Sequence, residues 1–340
     1  MRDRKVVVVT GASAGLGRAI VRRFARDGAA IGLLARGVDG LEGARRDVER
    51  LGGKALVLPT DVSDASAVEH AAAAVEAELG PIDIWVNDAM VSVFSPVKEM
   101  LAEEYQRVTN VTYMGYVHGT LSALRRMLPR DRGVIVQVSS ALAYRSIPLQ
   151  SAYCAAKHAI LGFTVSLRTE LLHDGSKVRV TLVHMPALNT PQFSWVKSRL
   201  PDRPQPVPPI FQPEVGAEAV HWAAHNDCGR ELTVAWPSVK AVYGNKLAPA
   251  YADEYLAETG YASQQTDEPA NPNRPNNLWE PLPGDHGAHG TFDARSHPRS
   301  AELWVRTHVG LAAIGAAVAG VALGAFTGNG RATRGAESPL

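Results

Sequence analysis

Short apolar runs alternate with longer amphipathic stretches along most of the chain. The runs are rich in Val, Ile and Leu, and they predict strands at residues 5–9, 30–35, 55–59, 82–86, 133–139, 178–184 and 231–235. Helical patterns lie between them, among them 18–27, 66–79 and 103–128. Nearly continuous apolar strands separated by helices are typical of a parallel sheet that is covered on both faces. The pattern therefore predicts an α/β fold, a doubly wound parallel sheet of about seven strands with helices on both sides.

The pattern changes beyond about residue 259. Residues 263–292 are crowded with Pro, Asn, Asp and Gly and show neither helical nor strand periodicity, which predicts an irregular extension. Leu278, Trp279, Leu282 and Phe292 lie within it, and such apolar side chains favour a segment that wraps partly over the globular body. The predicted organisation is a globular catalytic domain at 1–260, an extension at 261–305, an apolar helix at 306–328 and a tail at 329–340.

The apolar helix is a candidate membrane anchor. Residues 309–326 contain no charged or polar side chain, and their number approaches the length that crosses a bilayer. Ala312, Ala316, Gly320 and Gly324 recur every fourth residue, a spacing that lets membrane helices approach closely. A buried Ala/Gly-rich helix is the alternative. The arginines before this stretch favour a main domain in the cytoplasm.

Composition and charge limit the kinds of partner and ligand that the protein is expected to bind. A net charge of +1 and the lack of any block of like charges give no case for nucleic acid. Cys154 and Cys228 are the two cysteines of the sequence and form no C-x-x-C pair, so a reducing compartment is expected. His286 and His289 lie in "GDHGAHG" without further ligands at metal-binding spacing, and we expect no metal.

A glycine-rich loop follows the first predicted strand and opens a helix. In "VVTGASAGLGRAI", Gly11, Gly15 and Gly17 permit a tight turn and let the backbone approach a pyrophosphate at the helix N-terminus. Any strand-to-helix turn can use glycine for structure alone. At the first such turn of a Rossmann-like sheet, however, a dinucleotide site is the better interpretation.

The end of the second strand bears on the choice of nicotinamide cofactor. An acidic residue there binds the ribose 2′-hydroxyl, whereas arginine accommodates a 2′-phosphate. The sequence reads "LLARG", with Ala35 at the expected acidic position and Arg36 after it. This favours NADP(H) over NAD(H), although an arginine in a loop can also serve only as a surface contact.

Tyr153 and Lys157 lie four residues apart in "SAYCAAKHAI", on one face of a predicted helix. Hydride transfer to a carbonyl leaves negative charge on its oxygen, and a nearby acid must neutralise that charge. A free tyrosine has a pKa of ~10, and an adjacent ammonium together with an oxidised nicotinamide lowers it. Ser140 lies at the carboxyl end of a predicted strand, where open α/β sheets bind ligands.

The Thr-Gly-x-x-x-Gly-x-Gly loop and Tyr153-x-x-x-Lys157 together resemble the short-chain dehydrogenase/reductase family, in register over residues 5–235. The resemblance implies an NAD(P)(H)-dependent oxidoreductase that transfers hydride between the cofactor and a carbonyl or secondary alcohol, as a dimer or tetramer. In it Tyr153 is the acid/base, Lys157 tunes the tyrosine and binds the ribose, Ser140 holds the substrate oxygen, and Asn110 relays protons through a water. With Arg36, the cofactor-binding residues become Gly11, Ser13, Gly15, Leu16, Gly17, Arg36, Asp61, Val62, Asn87, Ala89, Tyr153, Lys157, Pro186 and Thr190.

The chain departs from the family pattern at several positions. "NDAM" places Asp88 and Met90 where the family has asparagine and glycine, Ala187 replaces a second glycine, and Thr190 comes slightly early. The loops at 144–150 and 187–211 and the segment around Trp279 are rich in apolar residues, which favours a lipophilic substrate. Two alternatives remain: a membrane-anchored cofactor-binding scaffold or redox sensor, and an epimerase or dehydratase of the extended family, whose glycine spacing differs.

Overall fold

The computed structural model describes residues 4–271 and 273–308. Met1–Ser300 form one compact unit. Ala301–Leu340 form a second, of which the structure describes a helix at its start.

The described residues form thirteen strands, seven of them with four to seven residues and six with two or three. They are β1 (Val6–Thr10), β2 (Ala30–Ala35), β3 (Lys54–Pro59), β4 (Ile84–Asn87), β5 (Val93–Phe94), β6 (Val134–Ser140), β7 (Arg179–Met185), β8 (Lys197–Ser198), β9 (Asp202–Pro204), β10 (Ile210–Phe211), β11 (Glu231–Thr233), β12 (Gln265–Pro269) and β13 (Ser296–His297).

The helices that the structure describes follow the same alternation. They are α1 (Gly15–Ala25), α2 (Val38–Arg50), α3 (Ala65–Leu79), α4 (Ala102–Thr109), α5 (Gly115–Met127), α6 (Ser151–His173), α7 (Gln192–Trp195), α8 (Pro213–His225), α9 (Trp236–Leu247), α10 (Pro249–Thr259) and α11 (Ala301–Thr307). A π-helical turn at Asn110–Met114 joins α4 to α5, so the single helix predicted at 103–128 is interrupted.

The central sheet has seven parallel strands in the order β11-β7-β6-β4-β1-β2-β3. All seven predicted strands are present, and the predicted doubly wound, Rossmann-like fold is confirmed. The inner strands are buried along their length, as β1 shows with five buried residues in succession. The chain order reverses between β1 and β4, and such a switch point opens a crevice at the carboxyl ends of the strands.

The C-terminal extension, up to Ser300, belongs to the same compact unit as the sheet. Leu278 is fully buried in the main hydrophobic cluster with Val62 and Val111. Phe292 packs in a second cluster with Phe94 and Phe193. None of the described residues in 270–292 belongs to a helix or strand, yet Leu278 and Phe292 are anchored in the core.

The structure bears only in part on the proposed membrane anchor. Across residues 4–271 and 273–308, no helix combines the length and the apolar character that crossing a membrane requires. The candidate anchor at 309–326 lies outside the described residues.

Candidate active site

A cavity of about 540 Å³ opens at the carboxyl edge of the sheet. The ends of six central strands, or the residues that directly follow them, contribute to its wall, together with the loop before α6 and part of the C-terminal extension. The loop after β1 and the residues after β4 face each other across the switch point. The cavity therefore lies where the order of the strands predicts a ligand crevice.

The glycine loop forms one end of the cavity. Gly11 and Gly15 have φ values of +74° and +58°, in the left-handed region that other residues rarely adopt. A Cβ at Gly17 would lie 2.2 Å from the Gly11 carbonyl oxygen, so only glycine lets α1 begin this close to β1. Ser13 and Leu16 line the cavity together with Gly11 and Gly15, whereas Gly17 acts through this close approach.

The adenosine side of the cavity contains the next predicted set. Arg36, Asp61 and Val62 all line the wall. The two terminal guanidinium nitrogens of Arg36 each lie 2.6 Å from a carbonyl oxygen, those of Trp279 and Asn277. The Asp61 carboxylate accepts from Arg107 at 2.7 Å, and this bond helps to hold the pKa of Asp61 below its usual value against the opposing effect of burial.

Ser140, Tyr153 and Lys157 meet at the other end of the cavity, as predicted. Ser140 ends β6, and its hydroxyl is near enough to the Tyr153 phenol to lower the pKa of that phenol. Lys157, one turn further along α6, is 2 % exposed, and its Nζ lies 5.4 Å from the centre of the Tyr153 ring. A hydroxyl pair beside a buried amine can hold an oxygen-bearing ligand and exchange a proton with it.

The structure does not bring Asn110 to this group. The Asn110 amide oxygen accepts from Gln106 at 2.8 Å, and the residue is absent from the cavity wall. Tyr116 instead contacts the lysine, with the Lys157 Nζ 3.1 Å from its hydroxyl. Both groups also donate to the Val138 carbonyl oxygen, each at 2.8 Å. The π-helical turn separates the two residues, and their side chains meet different partners.

No motif marks Tyr116 in the sequence. It precedes Lys157 by 41 residues, and the π-helical turn shifts the phase of the helix in between. Its aromatic ring in a predicted amphipathic helix is typical of an ordinary core position. Tyr116 is in fact 1 % exposed.

Burial has the largest effect on the pKa values of Tyr153 and Lys157. It raises the pKa of the Tyr153 phenol, with smaller upward effects from Cys154 and Asp88 and a downward one from the Ser140 hydroxyl. Burial likewise lowers the pKa of the Lys157 amine, against the opposing attraction of Asp88. Lys157 is not among the protein groups that act on the pKa of Tyr153, so the expected lowering of that pKa by the lysine is not found.

Asp88 lies close to both the glycine loop and the Lys157 amine. The Gly17 main-chain N–H donates to its carboxylate, and burial raises the carboxyl pKa against the effect of Lys157. Its own N–H donates to the Thr10 hydroxyl at 2.9 Å. The departure from asparagine therefore places a titratable group between the glycine loop and the amine.

The remaining predicted cofactor residues divide into two groups. Ala89, Pro186 and Thr190 line the cavity, as does Met90. Asn87 does not: it is fully buried on the other side of β4, where its amide donates to Gln137 at 2.9 Å and accepts from the Trp85 indole at 2.8 Å. Adjacent strand residues face opposite sides of a sheet, which separates Asn87 from the cavity.

The wall beyond Tyr153 is largely apolar. It is formed by the predicted substrate loops and, in addition, by α9 and α10, which the sequence analysis did not assign to the site. The apolar side chains of the cavity wall include Leu142, Ile147, Phe193, Val207 and Leu256, and Trp195 lines the wall next to His286.

His286 and His289 each contact other side chains. His289 lies between Glu214 and Asp293, each 2.9 Å from a ring nitrogen. The His286 ring packs against Trp195 with ring centres 4.7 Å apart. Within the part of the chain that the structure describes, no three His, Cys, Asp or Glu side chains are grouped to hold a metal ion.

Comparisons with known proteins agree with this geometry. Residues 5–199 match the family model described as short chain dehydrogenase. An uncharacterized oxidoreductase, YxnA, of Bacillus subtilis is 30% identical over 284 residues, 83% of this chain and 80% of the relative. A fatty acyl-CoA reductase of Acinetobacter baylyi is 30% identical over 221 residues, 64% of this chain and 72% of that protein.

A solved structure is similar over most of the sheet. It is an alcohol dehydrogenase from the archaeon Thermococcus sibiricus, complexed with 5-hydroxy-NADP. The TM-score is 0.57 at 27% sequence identity, over 68% of this chain and 96% of the other.

Proposed function

The chain belongs to the short-chain dehydrogenase family of oxidoreductases, and we propose that it transfers hydride between NADP(H) and a lipophilic carbonyl compound or secondary alcohol. One observation carries the proposal. The Ser140 and Tyr153 hydroxyls and the Lys157 amine meet at one end of a cavity whose other end is the glycine loop.

The residues present fit a nicotinamide dinucleotide. Positive φ values at Gly11 and Gly15 open a main-chain cradle at the α1 N-terminus, where a pyrophosphate is favoured. Arg36 lines the adenosine side and keeps N–H donors beyond the two that it gives to carbonyl oxygens. When bound, the cofactor supplies or accepts the hydride.

The protein's part in the reaction is to hold an oxygen and move a proton. Ser140 donates to the substrate oxygen and orients it toward Tyr153. In reduction Tyr153 gives its phenolic proton to that oxygen, and in oxidation it takes the proton back. Burial alone opposes the phenolate, because it raises the Tyr153 pKa. The phenol therefore depends on positive charge nearby, from Lys157 and from the oxidised form of the cofactor.

Lys157 needs acceptors to remain charged at 2 % exposure. The Tyr116 hydroxyl and the Val138 carbonyl oxygen supply two. Tyr116 is therefore a positioning residue in this proposal, acting on the reaction through the ammonium.

The apolar far wall supports a lipophilic substrate. Leu142, Ile147 and Leu256 line it, and they offer a reacting carbonyl few polar partners other than the catalytic hydroxyls. The name of the Acinetobacter relative, a fatty acyl-CoA reductase, points to the same class.

A substrate panel tests the activity. We expect purified protein to oxidise NADPH, followed by absorbance, with medium- and long-chain aldehydes or ketones and more slowly with short polar ones. Each added methylene that enters the apolar wall lowers KM up to a limiting length, because it contributes about 0.8 kcal/mol of burial. NADPH binding without turnover of any panel member or of the matching alcohols with NADP⁺ would favour the scaffold or sensor instead.

The cofactor preference is tested at Arg36. Arg36→Ala is expected to lower the affinity for NADPH about tenfold more than that for NADH, since a charge-assisted contact to the 2′-phosphate contributes about 1.5–3 kcal/mol. The ratio of the two affinities, from fluorescence titration, is the measurement. The substitution also removes the contacts of Arg36 to Asn277 and Trp279. This weakens the binding of NADPH and of NADH equally, so the effect cancels in the ratio of the two affinities. An unchanged ratio would contradict NADP(H) specificity through Arg36, and Arg36→Lys should retain most of it.

A further inference from the structure

Residues 277–293, here called the strap, run along the outer side of the cavity within the first compact unit. Their first contacts are at the ends of β2 and α4. The carbonyl oxygens of Asn277 and Trp279 accept from Arg36, each at 2.6 Å. The Leu278 carbonyl oxygen accepts from Arg107 at 3.0 Å, and Arg107 also holds Asp61. The strap therefore begins at the adenosine side.

The middle of the strap lies at the glycine loop. The Gly284 N–H donates to Asp39 at 2.7 Å, and the Gly15 N–H donates to the Gly287 carbonyl oxygen at 2.9 Å. Between them, the Asp285 carboxylate pairs with Arg18 at 3.0 Å. Arg18 is 2 % exposed on α1, so this ion pair anchors the strap to the first turn after the loop.

The last part of the strap lies at the nicotinamide side. The Gly290 N–H donates to the Asn189 carbonyl oxygen at 3.1 Å, and the Phe292 N–H donates to the Asn189 side chain at 3.0 Å. A Cβ at Gly290 would lie 2.5 Å from the Thr190 carbonyl oxygen, so the strap passes in close contact with the loop that follows β7.

The order of these contacts follows the order of the groups in a dinucleotide. Adenosine belongs at the ends of β2 and β3, the pyrophosphate at the glycine loop, and the nicotinamide near Thr190. Pro281, Leu282 and His286 of the strap line the same cavity as Arg36 and Gly15. The strap thus forms part of the cavity wall beside Arg36 and the glycine loop, and its last residues contact the loop that follows β7.

We propose that the strap is the outer half of the cofactor-binding site and that it holds the dinucleotide lengthwise against the strand ends. The proposal rests on the proposed function, since it takes a nicotinamide dinucleotide as the ligand. Leu282 and Pro281 cover the adenosine, and His286 stands beside the phosphates. Exchange of the cofactor then requires the strap to detach from the glycine loop.

Asp285→Asn tests the anchor without changing the cavity wall, because Asp285 is not part of that wall. Arg18 keeps its second partner, Asp47, at 2.7 Å. We expect NADPH, displaced by excess NADP⁺ in a stopped-flow fluorescence experiment, to leave about tenfold faster from the variant. Its Kd should rise by a smaller factor, because a strap that detaches more readily also admits NADPH faster, whereas single-turnover hydride transfer stays within about twofold. Glu254→Gln, an exposed carboxylate on α10, is the matched control and should release NADPH at the parent rate.

Leu282→Ala provides a second measurement that does not depend on the anchor. It should raise the inhibition constant of adenosine 2′,5′-bisphosphate several-fold and leave that of nicotinamide mononucleotide unchanged, because Leu282 lies at the adenosine side. Unchanged NADPH release in Asp285→Asn together with an unchanged constant in Leu282→Ala would overturn the strap proposal alone. Failure of the parent protein to bind any nicotinamide dinucleotide would overturn the proposed function as well.

Discussion

Tyr153→Phe is expected to lower kcat by about 10²- to 10⁴-fold, the range that a positioned general acid contributes. The substitution removes only the hydroxyl that exchanges a proton with the substrate oxygen. Ser140 retains its hydrogen bond from the Leu142 N–H at 3.1 Å, and the phenylalanine ring preserves the packing of α6. The measurement is NADPH oxidation with the best substrate of the panel, at saturating cofactor.

Cofactor binding separates this chemical effect from damage to the site. The substitution removes one hydroxyl and keeps the ring, so the variant should bind NADPH with nearly the parent Kd and unfold at nearly the parent temperature. Its residual activity should also lose any pH dependence that comes from titration of the phenol between pH 6 and 9, because the variant has no phenol to titrate. Turnover at the parent rate would show that another group supplies the proton, and the mechanism built on Tyr153 would be wrong.

Local patterns were enough to predict most of the sheet and one end of the site. Each central strand is a short apolar run, and its identity depends on its own residues and not on distant ones. The spacing of Tyr153 and Lys157 works in the same way, since four residues of helix bring them together in any fold. The glycine loop is also local: φ values of +74° and +58° at Gly11 and Gly15 follow from the turn itself.

Features that depend on long-range packing were harder to predict. Asn87 is the last residue of a strand whose end faces the cavity, yet the alternation of the strand turns its side chain into the interior, where Gln137 and Trp85 hold it. The strap has no periodicity, and its contacts to Arg36 and Arg18 span more than 240 residues. Its apolar residues predicted contact with the body. The hydrogen bonds from Arg36, however, go to main-chain carbonyl oxygens of the strap, which no sequence motif identifies.

Tyr116 is the clearest case of this kind and leads to the second large expected effect. Tyr116→Phe removes the hydroxyl that accepts from the Lys157 Nζ and leaves the ring, whose centre lies 4.7 Å from that nitrogen. Lys157 then has the Val138 carbonyl oxygen as its remaining hydrogen-bond acceptor among the described residues. A buried ammonium with one acceptor fewer is harder to keep charged, so kcat should fall about tenfold to a hundredfold.

The pH profile distinguishes this role from a purely structural one. Burial already lowers the Lys157 pKa, and loss of the Tyr116 hydroxyl lowers it further. Because the ammonium form supports proton transfer, activity on the alkaline side should begin to fall at a lower pH in Tyr116→Phe than in the parent. The KM for the carbonyl substrate should change little, since Tyr116 does not line the cavity.

Tyr113→Phe is the matched control for this variant. Tyr113 lies in the π-helical turn and packs edge-on against Phe163, and its hydroxyl makes no hydrogen bond within residues 4–271 and 273–308. It should leave both kcat and the pH profile unchanged. A lower kcat in Tyr116→Phe with an unmoved alkaline limb would mean that Tyr116 supports only the packing of α5. A shifted limb, with cofactor affinity retained, requires that its hydroxyl act through the charge on Lys157.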